Sequence, residues 1–410
     1  MGFAAPTLRA DKSAALPEKV NCQPDRWMGA TWNVLHTRNL TELTLPGAHD
    51  AGTGNITSVL TPTEEKLTPL VTSMVNTFLL PLVKDDSKLV QSLSAAPIRL
   101  LTALGVQIAD NIMPRLTQTQ TMTIGEQLKK GCRYFDLRPA WTKDGYYLAH
   151  GEILKDLGFV GGIGERLEST LQDILAFATA AGHERELIIL NFSHLMDLLR
   201  SKEERDNNAL WGLDLIAMIR SILGQQMIVA EDAHIRVDTL PLQQLLADGR
   251  NVLCLFDPDN WKTRLQGESD RKQLSPQEGV FWCYPAEKSG VAVPCNFNLY
   301  DQYSNSRNQT FVIGTQKRRY HERMQQRIEH QLQEVFLLSW TITLPQAPSL
   351  LDMKSVLDHA EEMNGKLAPS MENWIKREVI IGKKRPNILY VDHYEQGILD
   401  VVTMINALPL

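Results

Sequence analysis

The chain has 410 residues, 43% of them hydrophobic and 22% charged, with a formal net charge of −6. That is enough apolar material for a large core, in one barrel-sized domain or two ordinary ones, and it excludes a disordered chain. The acidic balance leaves no footprint for nucleic acid, which needs clustered Lys and Arg; no run reaches the roughly 18 apolar residues of a membrane span; and the five cysteines are scattered, with neither a disulfide framework nor a zinc spacing.

Residues 1–30 mix Pro, Lys, Asp and Ala without period and read as an extended arm, ahead of a single packed domain over 31–410. The start lacks the basic region and apolar core of a secretory signal, so a cytosolic destination is expected, with export by another route left open. From there, short apolar runs bounded by turn residues read as strands: LTLPGAH (43–49), CRYFDLR (132–138), ELIILNF (186–192), QQMIVA (225–230), NVLCLFD (251–257), VPCNFNLYD (293–301), EVFLLSWTIT (334–343) and NILYVD (387–392). YYLAHG (146–151) reads as a further strand end. Amphipathic stretches with helical spacing lie between them at 166–181, 214–223, 240–247 and 319–332.

Eight strands interleaved with helices point to an α/β protein of the TIM-type (β/α)8 barrel class, its wall whole, distorted or incomplete. The groups that do chemistry are then expected at the C-terminal strand ends. Residues 55–115 interrupt the pattern after the first strand as an apolar helical insertion, read either as a lid or membrane-facing hairpin beside the mouth or as helices packed on the flank. GFVGGIGER (158–166) lacks the Lys of a P-loop and the spacing of a dinucleotide fingerprint, and reads as a flexible loop. Lys383, Lys384 and Arg385 read as a solvated basic cluster.

Four of these stretches carry ionisable groups placed to do chemistry. His49 and Asp50 follow the Pro-Gly-Ala turn of the first; Asp136 and Arg138 stand two apart on one face of the second; His150 precedes the closing Gly151 of YYLAHG, and Asp392 ends the last strand. Two imidazoles and a fixed guanidinium are the equipment for phosphoryl transfer without a metal. One ring removes a proton from the attacking hydroxyl, the other protonates the leaving oxygen, and the cation steadies the charge between them.

In their order and content, residues 40–54, TQTMTIGEQLKKGCRYFDLRPA (119–140) and YYLAHG closely resemble the X domain of phosphatidylinositol-specific phospholipase C, as found in the bacterial enzymes and in proteins made of an X domain alone. The likeness continues through LQDILAFATAAGHERELIILNFSH (171–194), LYDQYS (299–304) and RPNILYVDHYEQGILDVVTMIN (385–406). It implies His49 as general base on the inositol 2-hydroxyl, His150 as general acid for the diacylglycerol oxygen and Arg138 as holder of the phosphate oxygens. Asp392 would orient His49, with Asp50 and Asp136 supporting Arg138 and His150. Asp301, Tyr303 and Ser193 would meet the inositol, and a phospholipid at a membrane surface would be the partner.

Where the animal enzymes of that family hold calcium with carboxylates, this chain has Arg138 and Ser193, so no metal and no other cofactor is expected. The bacterial lysine of the third strand is also replaced by Ser193, followed here by His194, which leaves the headgroup open. A rival expectation on the same barrel is a catalytically silent inositol-lipid-binding or scaffold protein.

Overall fold

The computed structural model describes residues 22–60, 114–154, 158–199, 212–261, 268–284, 293–343 and 354–410. Eight parallel strands form one sheet: β1 (Leu45–Ala48), β3 (Tyr134–Leu137), β7 (Ile188–Phe192), β9 (Val252–Phe256), β10 (Phe281–Trp282), β11 (Leu299–Tyr300), β12 (Val335–Ser339) and β13 (Ile388–Val391). Its order is β10-β9-β7-β3-β1-β13-β12-β11. The two edges meet through a parallel bridge between Cys283 and Phe297, so the wall closes with its strands in chain order. This is the (β/α)8 barrel expected from the alternation of strands and helices.

The barrel strands are near-continuous apolar runs because both of their faces are covered. Every residue of β1, β3, β7, β9 and β12 is buried. In β1, Gly47 lies against Ile388 and Tyr134 of the neighbouring strands. A Cβ there would come within 2.7 Å of the Ile388 Cγ2, so only glycine permits this strand spacing. The flanking helices carry matching stripes: Leu167–Ala178 turns Leu167, Leu171, Ile174 and Phe177 inward, each such burial contributing roughly 1.5–3 kcal/mol.

Two expected strands contract. Of 225–230, only Met227 bridges the sheet, beside Val252. Of 293–301, Leu299–Tyr300 pairs with β12. The sequence reading passed over β10, whose two residues are too few to display a period.

A second sheet of five strands rises from the mouth, in the order β2-β6-β5-β4-β8. It contains β2 (Thr57–Leu60), β4 (Pro139–Thr142), β5 (Gly145–Leu154), β6 (Gly158–Arg166) and β8 (Met196–Asp197). GFVGGIGER is therefore a strand, not a loop. Its glycines are a packing requirement: a Cβ on Gly161 would lie 2.4 Å from the His150 carbonyl, and one on Gly164 2.0 Å from that of Gly52.

Two other expectations shift. Trp27 and Met28 are fully buried, so packing begins inside the stretch read as an arm. Arg385 is not solvated but fully buried, donating to the carbonyls of Gly382, Leu408 and Pro409 near the end of the last helix. Most of the apolar insertion, residues 61–113, lies outside the described residues, as do both readings of it.

Candidate active site

Strand geometry assembles the site. His49 follows β1, Arg138 follows β3 and Asp392 follows β13, so all three stand at the C-terminal mouth, while Asp136 lies within β3. His150 arrives by a different route from the one expected. It ends no barrel strand: β3 runs past Arg138 into β4, and the hairpin back along β5 pairs Pro139 with Leu148. That register carries His150 over the mouth next to Arg138, where the Ala149 amide donates to the Arg138 carbonyl at 3.0 Å.

The Arg138 guanidinium is the centre of the cluster. Its Nε lies 2.5 Å from Asp50 Oδ1 and 3.2 Å from Asp136 Oδ2, and its Nη2 lies 3.0 Å from His49 Nε2. Burial opposes this charge, but Asp50 and Asp136 outweigh it and raise the Arg138 pKa further. Asp136 also accepts from the Tyr390 hydroxyl at 2.6 Å and from Ser193 Oγ at 2.7 Å. Although burial pushes its carboxyl up, Arg138, His49 and the Tyr390 hydroxyl hold it well below the usual range.

The two imidazoles face one another with ring centroids 5.9 Å apart. His49 Nδ1 is 2.6 Å from Asp392 Oδ1, which fixes the proton on Nδ1 and leaves Nε2 for the mouth. Nε2 lies between Arg138 Nη2 at 3.0 Å and Asp50 Oδ2 at 3.2 Å; unprotonated it accepts from the first, protonated it donates to the second. Burial disfavours the charge, but Asp50 and Asp392 push the His49 pKa up to about 9.

His150 differs in each respect. Its Nδ1 donates to the Thr117 carbonyl at 2.7 Å and lies 3.3 Å from Asp50 Oδ2. Burial lowers its pKa, and Arg138 and His49 lower it further against the pull of Asp50. The side chains of His49 and His150 remain 17% and 23% exposed, so both rings are open to a bound molecule.

Residues that the sequence did not single out hold the cluster in place. Gln120, fully buried, donates to the His49 carbonyl at 2.8 Å, and Thr119 Oγ1 approaches the carbonyls of His49 and Asp50. Asn364 donates to the carbonyls of Asp392 and His393, both at 2.9 Å. Tyr390 reaches Asp136 from β13 and packs 5.2 Å from the His49 ring. The only hint of these roles was a Thr-Gln-Thr-Gln run that resembles an ordinary polar loop.

Of the expected headgroup residues, Ser193 joins the cluster through Asp136. Asp301 sits further round the mouth, accepting from the Tyr284 hydroxyl. Tyr303 is 58% exposed on the rim. His49, Asp50 and Asp136 bring donor atoms within 4.8 Å of one another, as a metal site would. The guanidinium of Arg138, however, stands among those same atoms and already supplies their counter-charge.

No protein-family model matches the chain. It is 23% identical over 379 residues to "PI-PLC X domain-containing protein 3" of Danio rerio, covering 90% of this chain and 89% of the relative. The Homo sapiens protein of that name is 26% identical over 208 residues, 50% of each chain. Among solved structures, a mutant phosphatidylinositol-specific phospholipase C from Staphylococcus aureus superimposes with a TM-score of 0.51 at 14% identity, over 96% of this chain and all of that one. That likeness is one of fold. Together with the curated relatives, it extends the resemblance to the phosphatidylinositol-specific phospholipase C X-domain proteins along most of the chain.

Proposed function

We propose that the protein cleaves the phosphodiester of a phosphatidylinositol-type lipid at a membrane surface, without a metal, by the paired action of His49 and His150. The observation that carries this reading is the pair of rings 5.9 Å apart beside one guanidinium that is itself only 18% exposed. The inositol 2-hydroxyl oxygen attacks phosphorus as its proton passes to His49 Nε2. The bond from phosphorus to the diacylglycerol oxygen breaks as His150 Nε2 protonates that oxygen. A cyclic inositol phosphate and diacylglycerol result. Arg138 balances the charge on the non-bridging oxygens, Asp392 sets the His49 tautomer, and Asp50 and Asp136 fix the guanidinium. Purified protein is expected to release water-soluble phosphate from phosphatidylinositol vesicles; vesicles bound but left intact would favour the silent lipid-binding rival instead.

Metal independence follows from the same residues. Calcium takes six to eight oxygen ligands, whereas Arg138 already stands among the three clustered donors. EDTA is expected to leave the rate unchanged. A rate abolished by EDTA and restored by calcium would contradict this.

The pH profile carries a specific signature. Reaction needs His49 neutral and His150 protonated, but the surroundings favour the reverse, raising the one pKa to about 9 and lowering the other. Below both values the base is protonated, and above both the acid has lost its proton. Between them the pair shares one proton, and the small reactive fraction does not vary with pH. The kcat/KM of the free enzyme is thus expected to rise up to a lower limit below 6.5, stay level, and fall above about 9. Asp392→Asn, which removes one of the carboxylates that raise His49, should move the upper limit down; an unmoved limit would count against the assignment.

A further inference from the structure

Seven non-glycine residues among those described hold a left-handed backbone, and four stand at the mouth, each two places beyond a barrel strand. They are Asp50 (φ 41°) after β1, His194 (φ 49°) after β7, Tyr284 (φ 79°) after β10 and His393 (φ 50°) after β13. Such a conformation costs a side-chain-bearing residue free energy, and it persists where the surroundings impose it, often at functional sites. Asp50 has its part in the proposed reaction. His194 has none so far, although it is exposed and lies close enough to Arg138 for that charge to dominate its titration.

Its tautomer follows from its neighbours. Asp136 is ionised and can only accept, so the single proton of Ser193 Oγ goes to Asp136 Oδ1, 2.7 Å away. Ser193 Oγ is then an acceptor, and His194 Nδ1, 3.1 Å from it, must be the donor. With the Arg138 charge disfavouring a charged ring, the neutral form keeps its lone pair on Nε2, at the ring edge away from Ser193.

We infer that His194 is a specificity-determining residue whose Nε2 accepts a hydrogen bond from a headgroup hydroxyl, so that the site selects a polyol headgroup unphosphorylated at that position. A phosphate there would bring acceptor oxygens against a lone pair. The chain His194–Ser193–Asp136–Arg138 ties this selection to the guanidinium beside the scissile ester. This inference rests on the phosphodiesterase reading and deepens it.

The test compares wild type with His194→Gly and His194→Asn, which both tolerate the left-handed backbone and both fall short of the Nε2 position, and with His194→Gln, whose longer amide can accept. KM and kcat are measured on phosphatidylcholine vesicles carrying either phosphatidylinositol or its monophosphate. The Gly and Asn variants are expected to raise KM for phosphatidylinositol about three- to tenfold, the effect of one neutral hydrogen bond, with kcat nearly unchanged. They should also erode the preference over the monophosphate by a similar factor, and Gln should recover part of both. Folded Gly or Asn variants with wild-type KM and preference overturn the inference while leaving the phosphodiesterase reading intact. If wild type cleaves neither lipid, that reading falls. Equilibrium binding to the same vesicles then decides on His194: weaker binding of the variants to phosphatidylinositol upholds it, and equal binding overturns it.

Discussion

His49→Ala and His150→Ala should each lower the rate of phosphatidylinositol cleavage by about 10²–10⁴-fold, the range for loss of a positioned acid or base. The two variants should differ in stability. His49 satisfies the buried Asp392 carboxylate at 2.6 Å and lies against Arg138 and Asp50, so its loss leaves buried polar atoms short of partners. His150 gives up one hydrogen bond to a backbone carbonyl and a longer contact to Asp50, so His150→Ala should melt close to wild type. Because the rings act on the two ends of one displacement, the double variant should be little slower than the worse single one. Effects that multiply instead would mean that the rings serve separate steps. Activity retained in either single variant would remove that ring from the mechanism.

Arg138→Met has the largest expected effect, on folding and on activity together. The guanidinium is the counter-charge for Asp50 and Asp136, both buried. Removing one partner of a buried pair typically costs about 3–5 kcal/mol, because the remaining charge is stranded in a poor solvent. Its pH dependence should also invert. In the wild type the Asp136 pKa is depressed, so that contribution to stability is present at neutral pH and lost as pH falls through the folded pKa. In Arg138→Met the Asp136 carboxyl should titrate upward, and stability should improve as pH is lowered. Arg138→Lys separates the two roles: an ammonium restores charge, and with it much of the fold, but cannot place Nε and Nη2 on three partners at once. Its activity should remain at least about 10²-fold down, comparable to losing a fixed donor to the transition-state oxygens. Chemical denaturation at two pH values, with the vesicle assay alongside, measures all of this; a Met variant as stable as wild type would contradict the electrostatic account.

The barrel was legible because its strands bury both faces and stand out as short apolar runs, and because its ionisable residues fall just where those runs stop. His49, Arg138 and Asp392 each follow the last residue of a strand, which chain order alone suggests. The side sheet was not legible. β6 is rich in glycine because its backbone passes close to Gly52 and His150, and glycine in sequence reads as a loop. That strand is also what fixes His150 within a hairpin. Tyr390 was hidden for another reason: in ILYV it has the look of one more core residue, and only the closing of the barrel brings β13 beside β1 and its hydroxyl to Asp136. Thr119 and Gln120 share that fate, since polar residues that satisfy buried carbonyls differ from solvated ones only in what surrounds them.

The most direct test of the proposed chemistry is phosphorus NMR of the water-soluble product during cleavage of phosphatidylinositol vesicles in EDTA. An internal attack by the 2-hydroxyl predicts that the five-membered cyclic phosphodiester appears first, with any open-chain monoester following later. A monoester formed from the outset with no cyclic precursor, or no product from vesicles the protein demonstrably binds, would contradict the account.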